Sequence, residues 1–167
     1  MSRIYSNFIF KTKSFQYNVF MERLKIVKAS KKHHDFLIES NLIIHEISEQ
    51  TQKSEFAKRF DEDYFCKNPK FFCLVAEYDE IPVGMLLYSK MYWADDGEVL
   101  WVSQMYAQKE FRKFGVASKL YLALKDSNPE AKVVSCATGK NNLRMNKILK
   151  GMGFGLIEMN FYAKKLK

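Results

Sequence analysis

Three strand-like runs follow one another between residues 71 and 106: FFCLVAEY, VGMLLYSKMY and EVLWVSQMY. Each is rich in β-branched and aromatic residues. Only DEIP and a short ADDG stretch separate them, and both carry the residue types that favour tight turns. Links that short return the chain antiparallel to itself, because a parallel pair needs a much longer crossover. The middle of the chain is therefore expected to be an antiparallel meander, and the flanking segments must cover its two faces.

Those flanks have the required periodicities. RLKIVKA (23–29) alternates and reads as a strand. Residues 31–50 read as one helix, with Leu37, Ile44 and Ile47 on one face, Phe36 and Ile43 beside them, and Ser40 as a small polar interruption. Residues 54–65 read as a second helix. After the meander, Gly115 opens a helix in which Val116, Leu120, Ala123 and Leu124 share a face. AKVVSCA (131–137) reads as a strand and 142–151 as a helix with Leu143, Ile148 and Leu149 as its apolar positions. GFGLIEMNFYAKKL is expected to close the chain with one or two strands. The order predicts an α/β protein with a mixed sheet.

No repeat, low-complexity tract or Pro/Gly-rich linker interrupts residues 22–167, which predicts a single domain. Residues 1–21 stand apart, with three basic residues, no acid and many aromatics. They fit a transit-like leader, a start-site artefact with Met21 as the true start, or an added edge strand; the sequence leaves all three open. No apolar run approaches the ~20 residues of a membrane-spanning helix. The net charge of +8 favours an anionic partner such as a phosphate-bearing cofactor, a nucleic acid or a membrane surface. Cys66, Cys73 and Cys136 lack metal or redox spacing, and His33, His34 and His45 form no ligand pattern, so no metal site is expected. Three sparse thiols suit a reducing compartment, and a cytoplasmic location is the expectation.

The stretch QKEFRKFGVASKL places Arg112, Gly115 and Ala117 at the spacing R-x-x-G-x-A just before an apolar helix. A helix start leaves several N–H groups without partners and carries partial positive charge. Glycine lets a ligand approach the backbone, alanine adds almost no bulk, and Arg112 and Lys113 add charge. Such a turn suits a pyrophosphate, although a plain glycine turn would look the same. The patterns G-x-x-x-x-G-K-[ST] and G-x-G-x-x-G are both absent.

R-x-x-G-x-A after a meander strand, with ten residues between Asn142 and Gly153-Phe154, resembles the GNAT superfamily of N-acetyltransferases. The resemblance covers about residues 22–165. The aromatic pair before CLVAE, the VG of the next strand, the turn glycine Gly97 and RKFGVAS are similar to the spermidine/spermine N-acetyltransferase branch. It implies a mostly antiparallel central sheet flanked by helices, acetyl-CoA as co-substrate without metal, and transfer of the acetyl group to a primary amine. Met105, Tyr106 and Ala107 would pair through their backbone with the pantetheine arm. Amides from Lys113, Phe114, Gly115, Val116, Ala117 and Ser118 would take the pyrophosphate, with Arg112 beside it. Asn142 would lie near the cofactor arm, or simply cap a helix.

The chain departs from that pattern at two places. Leu149 occupies the position of the family's tyrosine acid, and Ser103 and Gln104 stand where the polyamine branch has two adjacent acids. Asp95, Asp96 and Glu98 remain as acids that could attract an amine or act as base, or could be an ordinary solvated turn. Tyr106 and Cys136 remain as proton donors, or as packing residues. A small polyamine-like or amino-acid-like acceptor is the first expectation. A protein or aminoacyl-tRNA amine, or a non-catalytic CoA-binding module, are the alternatives. Many relatives dimerise, so a homodimer is compatible with the resemblance; a membrane partner is not expected, nor any nucleic acid except tRNA.

Overall fold

The structure is a computed structural model, and it describes residues 20–46 and 50–157. The chain divides into two compact units, one ending at Cys136 and the other beginning at Ala137.

The first unit is a five-stranded sheet in sequential order. Strand β1 (Leu24–Lys28) pairs antiparallel with β2 (Phe72–Tyr78), β2 with β3 (Ile81–Trp93), and β3 with β4 (Gly97–Ala107). Only β5 (Val133–Cys136) runs parallel to its neighbour β4. The expected meander is present, and so is the mixed sheet. A short 3-10 turn (Lys31–His33), helix α1 (His34–Ile44) and helix α2 (Gln50–Asp63) follow β1. A second 3-10 turn (Lys109–Phe111) and helix α3 (Val116–Asp126) lie between β4 and β5.

Alternation along the strands sends side chains to two faces, and each face has its own core. Leu74, Ala76, Leu86, Tyr88, Leu100 and Val102 pack with Val116, Leu120 and Leu124 of α3. Cys73, Val75, Met85 and Leu87 pack with Leu37 and Ile38 of α1 and Phe60 and Tyr64 of α2. Each fully buried aliphatic side chain contributes about 1.5–3 kcal/mol relative to leaving it in water.

Residues 31–50 do not form one helix. Glu46 adopts a left-handed conformation at φ 55°, and the last turn tightens through a bond from Glu46 N–H to Ile43 O. That cap is usually a glycine, and a glutamate gave the sequence no stop signal. The buried stripe also differs from the expected one: Leu37, Ile38, Ser40 and Asn41 are buried, whereas Ile43 is 58% exposed. Asn41 is tolerated inside because its Nδ2 donates to Leu37 O at 2.7 Å. Ile47 lies outside the described residues.

A buried ion pair fastens the start of α1 to the sheet. His33 Nε2 lies 2.8 Å from the Glu77 carboxylate, and Lys32 Nζ lies 2.6 Å from it. His33 Nδ1 accepts from Ser30 N–H at 3.0 Å, so Nε2 carries the proton and donates. Burial alone would raise the Glu77 carboxyl, but hydrogen bonds from His33 and Lys32 outweigh it and hold the carboxyl below its ordinary range.

The second unit contains helix α4 (Leu143–Gly151). Asn142 caps it, its Oδ1 accepting from Met145 N–H at 3.1 Å. The helix ends with Gly153 at φ 85°, where Gly153 N–H donates to Lys150 O and Phe154 N–H to Leu149 O. Those two bonds make a Schellman cap and account for the glycine. The expected closing strand is not present over residues 153–157, and 158–167 lie outside the described residues.

Candidate active site

Strand β4 carries the site, and a bulge divides it. Tyr88 pairs with Val102 while Leu87 pairs with Gln104, so Ser103 is the extra residue. Its hydroxyl donates to Leu87 O at 3.4 Å. On the other side of β4 the pairing with β5 stops at Val102 opposite Cys136. Residues 103–107 therefore have no strand partner on that side among the described residues. Met105, Tyr106 and Ala107 offer an open backbone edge to which an amide-bearing chain could add.

The turn predicted to hold an anion follows directly. Gln108 N–H donates to Val83 O at 2.9 Å and carries the ladder one residue past β4. Lys113 and Gly115 both adopt left-handed backbone at φ 77°, and Gly115 caps α3. For Lys113 that conformation costs about 1–2 kcal/mol relative to glycine. The first helical bond runs from Lys119 N–H to Gly115 O. The amides of Lys113, Gly115, Val116, Ala117 and Ser118 find no backbone acceptor among the described residues. Free N–H groups at a helix start suit a phosphate.

Arg112 does more than add charge. Its Nε donates to Ala107 O at 2.9 Å, and its guanidinium lies 6.0 Å from the centre of the Tyr106 ring. It ties the turn to the end of β4.

Two residues not singled out for this role in the sequence support the turn. A Cβ at Gly84 would come within 2.7 Å of Val116 Cγ1 and 3.0 Å of Tyr106 O. Only glycine there lets α3 begin this close to the sheet. Phe20, 7% exposed, stacks on Tyr78 at 4.8 Å and contacts Phe114 of the turn at 4.9 Å. Lys119 Nζ reaches back to Met21 O at 2.6 Å and also bonds Leu24 O. Phe20 and Met21, read as part of the segment set apart, thus help build the core.

The proposed catalytic trio is not gathered in one place. Glu98 sits at the opposite end of β4 from Met105, roughly 20 Å away at about 3.3 Å per residue. Its carboxylate is engaged by Lys90 Nζ at 3.0 and 3.2 Å. Asp95 and Asp96 are exposed in the hairpin turn beyond it. The acids expected to meet the amine therefore lie away from the open edge of β4. Tyr106 packs on the α1–α2 face, 6.4 Å from Phe36, whereas Cys136 packs against the core beneath α3. Burial pushes the Cys136 thiol up, which keeps it protonated.

A different residue stands near the bulge. His45, at the end of α1, brings Nε2 within 2.7 Å of Gln104 Nε2. Its ring lies 6.3 Å from Phe56 of α2. Nothing in the sequence links His45 to Gln104, because the contact spans fifty-nine residues. Asn142 is seen as a helix cap, the role left open beside cofactor contact. Among the described residues no group of three or more His, Cys, Asp or Glu is placed to hold a metal ion, and no helix is long and apolar enough to cross a membrane.

Known proteins share this architecture. A possible acetyltransferase from Clostridium difficile 630 superposes with a TM-score of 0.73 at 15% identity, over 86% of this chain and 98% of that one. An aminoglycoside N-acetyltransferase in complex with CoA gives 0.71 at 16% identity, over 86% and 95%. A ribosomal-protein-alanine N-acetyltransferase from Brucella melitensis biovar Abortus 2308 gives 0.68 at 13% identity, over 85% and 99%. No curated protein matches the chain. The sequence model of the acetyltransferase (GNAT) family matches residues 40–154, which hold α2, the meander and the phosphate-type turn. The chain belongs to the GNAT family and is an N-acetyltransferase.

Proposed function

We propose that the turn 112–118 and the open edge of β4 bind acetyl-CoA, and that the acetyl group passes to a primary amine of a small acceptor. The observation that carries this reading is the set of amides of Lys113, Gly115, Val116, Ala117 and Ser118 without a backbone acceptor, laid out by two left-handed residues beside an unpaired strand end. Pyrophosphate would take the amides of Lys113, Phe114, Gly115, Val116, Ala117 and Ser118, with Arg112 and Lys113 supplying charge. Phe114 N–H already donates to Phe111 O at 3.4 Å, a long bond that an anion would displace. Backbone groups of Met105, Tyr106 and Ala107 would pair with the amide-bearing arm.

Acetyl-CoA supplies a thioester carbon open to a neutral amine. The protein's part is to hold the amine against that carbon, exclude water and present N–H groups to the developing negative charge. Tyr106, beside the open edge, is the proton donor we assign to the departing sulfur. Cys136 and Glu98 are placed less well for proton transfer, one behind the sheet and the other paired with Lys90.

The acceptor side favours an amine with little further positive charge. Ser103 and Gln104 replace the acids that a polycation would need, and the protein's own charge of +8 repels polycations. The likeness to the polyamine branch therefore supports the fold of the meander more than a polyamine acceptor. The same positive charge supports a second reading, a protein or aminoacyl-tRNA amine. We assign residues 22–167, with Phe20 and Met21 packed into their core, to one acetyltransferase domain of the cytoplasm, open to homodimer formation.

The test is product detection by mass spectrometry with acetyl-CoA and a panel of polyamines, amino acids, peptides and charged tRNA. An acetylated small amine supports the first reading. Acetylation of peptide or tRNA alone supports the second.

A further inference from the structure

Positive charge is concentrated in one part of the chain. Residues 137–167, the second unit, hold seven lysines and arginines and a single acid, Glu158, so they supply six of the eight net charges. The first unit pairs many of its cations: Arg23 with Asp79, Lys32 with Glu77, Lys58 with Glu62, Lys70 with Asp63 and Lys90 with Glu98. Among the described residues Lys140, Arg144, Lys147 and Lys150 have no such carboxylate, and residues 137–157 contain no acid at all. Arg144, Lys147 and Lys150 recur every third residue on α4, all exposed, over about 9 Å of helix. Like charges at that spacing work against a helix unless an anion covers them. Met145, Ile148 and Leu149 lie half-buried on its other side. The loop before α4 is held to it: Asn146 Nδ2 donates to Gly139 O at 3.2 Å and to Asn142 O at 3.0 Å, and Asn142 N–H donates to Gly139 O at 3.0 Å. That loop carries exposed Lys140 and Asn141 at the head of the row. Leu143, 77% exposed, stands one turn from Lys147 and next to Arg144.

We propose that this basic row of the second unit is a docking surface for folded RNA. Docking there is independent of whether the chain binds acetyl-CoA. It would also give the aminoacyl-tRNA acceptor of the second reading a place to dock. Four cations without counter-charge offer contacts to successive phosphates, and each contact releases counterions that the phosphates hold. Such contacts position a strand without reading its sequence. Leu143 and Arg144 present an apolar body and a planar guanidinium to an unstacked base. Asn141 presents a carboxamide that can donate to or accept from a 2′-hydroxyl. The loops of folded RNA have both groups, and duplex DNA has neither. A lipid surface fits less well, because a helix lying on a membrane turns its apolar side to the lipid. Here that side is half-buried and the cations are exposed. A protein partner would call for aromatic anchors at the centre of the interface, and α4 has no aromatic residue.

The test is fluorescence anisotropy of a labelled RNA stem-loop titrated with the full chain, without acetyl-CoA. Four phosphate contacts on a single strand predict a dissociation constant that rises about fiftyfold between roughly 50 and 200 mM salt. Lys147→Gln with Lys150→Gln removes two of the four contacts and should halve the slope of log K against log salt, while circular dichroism stays native. Arg59→Gln with Lys67→Gln removes the same charge from exposed positions in the first unit and should leave the slope unchanged. Equal losses from the two pairs would mean general charge attraction and would overturn the proposal, as would a native affinity that ignores salt. Duplex DNA of the same length should bind about tenfold more weakly, since it offers phosphates alone. Equal binding of the two overturns the choice of RNA. Binding to phosphatidylserine vesicles with none to RNA gives the surface to a membrane and overturns it as well. Acetyl-CoA is absent from every arm, so failure of the cofactor reading leaves these results intact.

Discussion

Two regions along β4 are built from different material. On the side proposed for the cofactor, the groups left open are main-chain amides between Lys113 and Ser118 and the edge of β4. Across the bulge the contact is between side chains, Gln104 from β4 and His45 from α1, meeting across fifty-nine residues. A backbone site needs only local conformation, so a short run with the right glycine spells it out. A side-chain site needs the whole tertiary fold to bring its parts together. One end is therefore robust to side-chain exchange and sensitive to any change in backbone, and the other is the reverse.

The largest effect should come from breaking the backbone end. Gly115→Asp puts a carboxylate where the anion would sit and strains a left-handed position by about 1–2 kcal/mol. Acetyl-CoA affinity measured by calorimetry should fall beyond detection. Next, Gly84→Val forces a side chain against Val116 and Tyr106 O. Overpacking of that kind costs about 1–3 kcal/mol. Denaturant unfolding should show the loss, and acetyl-CoA binding should weaken with it because α3 is pushed off the sheet.

That contrast also explains what could be read from the sequence. The meander was legible because Phe72–Tyr78, Ile81–Trp93 and Gly97–Ala107 are long, apolar and joined by tight turns. The turn that opens α3 was legible through Gly115, which caps the helix at φ 77°. The helix break at Glu46 was not, because a left-handed glutamate looks like any other helix former. Burial of Asn41 and exposure of Ile43 shifted the apparent face of α1 for a similar reason. Glu98, Asp95 and Asp96 are near Ser103 in sequence, but the extended strand β4 (Gly97–Ala107) carries them away from it, a distance that no local pattern displays. Gly84 and Phe20 matter through contacts with Val116 and Phe114 that no local pattern encodes.

Smaller effects sharpen the comparison. Phe20→Ala removes a ring from behind Phe114 and should weaken acetyl-CoA binding severalfold, and a buried aromatic lost from the core costs about 3–5 kcal/mol at most. Unchanged affinity in a folded variant would show that the turn holds its shape unaided. The Glu77 clasp acts on stability alone. Its folded carboxyl is held below the unfolded range, so its contribution is full above the unfolded value and is lost as pH falls through the folded one. Glu77→Gln should flatten that acid limb in thermal unfolding followed against pH; an unaltered limb would assign the acid sensitivity elsewhere. Least of all, Asp95→Asn with Asp96→Asn should change stability by less than about 0.5 kcal/mol and leave the amine KM as it was. A raised amine KM would bring the hairpin acids back to the acceptor.

Acetyl transfer by this chain requires the turn before α3 to hold acetyl-CoA. The most direct measurement is a calorimetric titration of acetyl-CoA into the native chain and into Gly115→Asp, with circular dichroism confirming that both are folded. The expected result is saturable one-to-one binding to the native chain and none to the variant. Equal binding by both, or no binding by the native chain, would contradict the assignment of Lys113 to Ser118 as the cofactor's cradle.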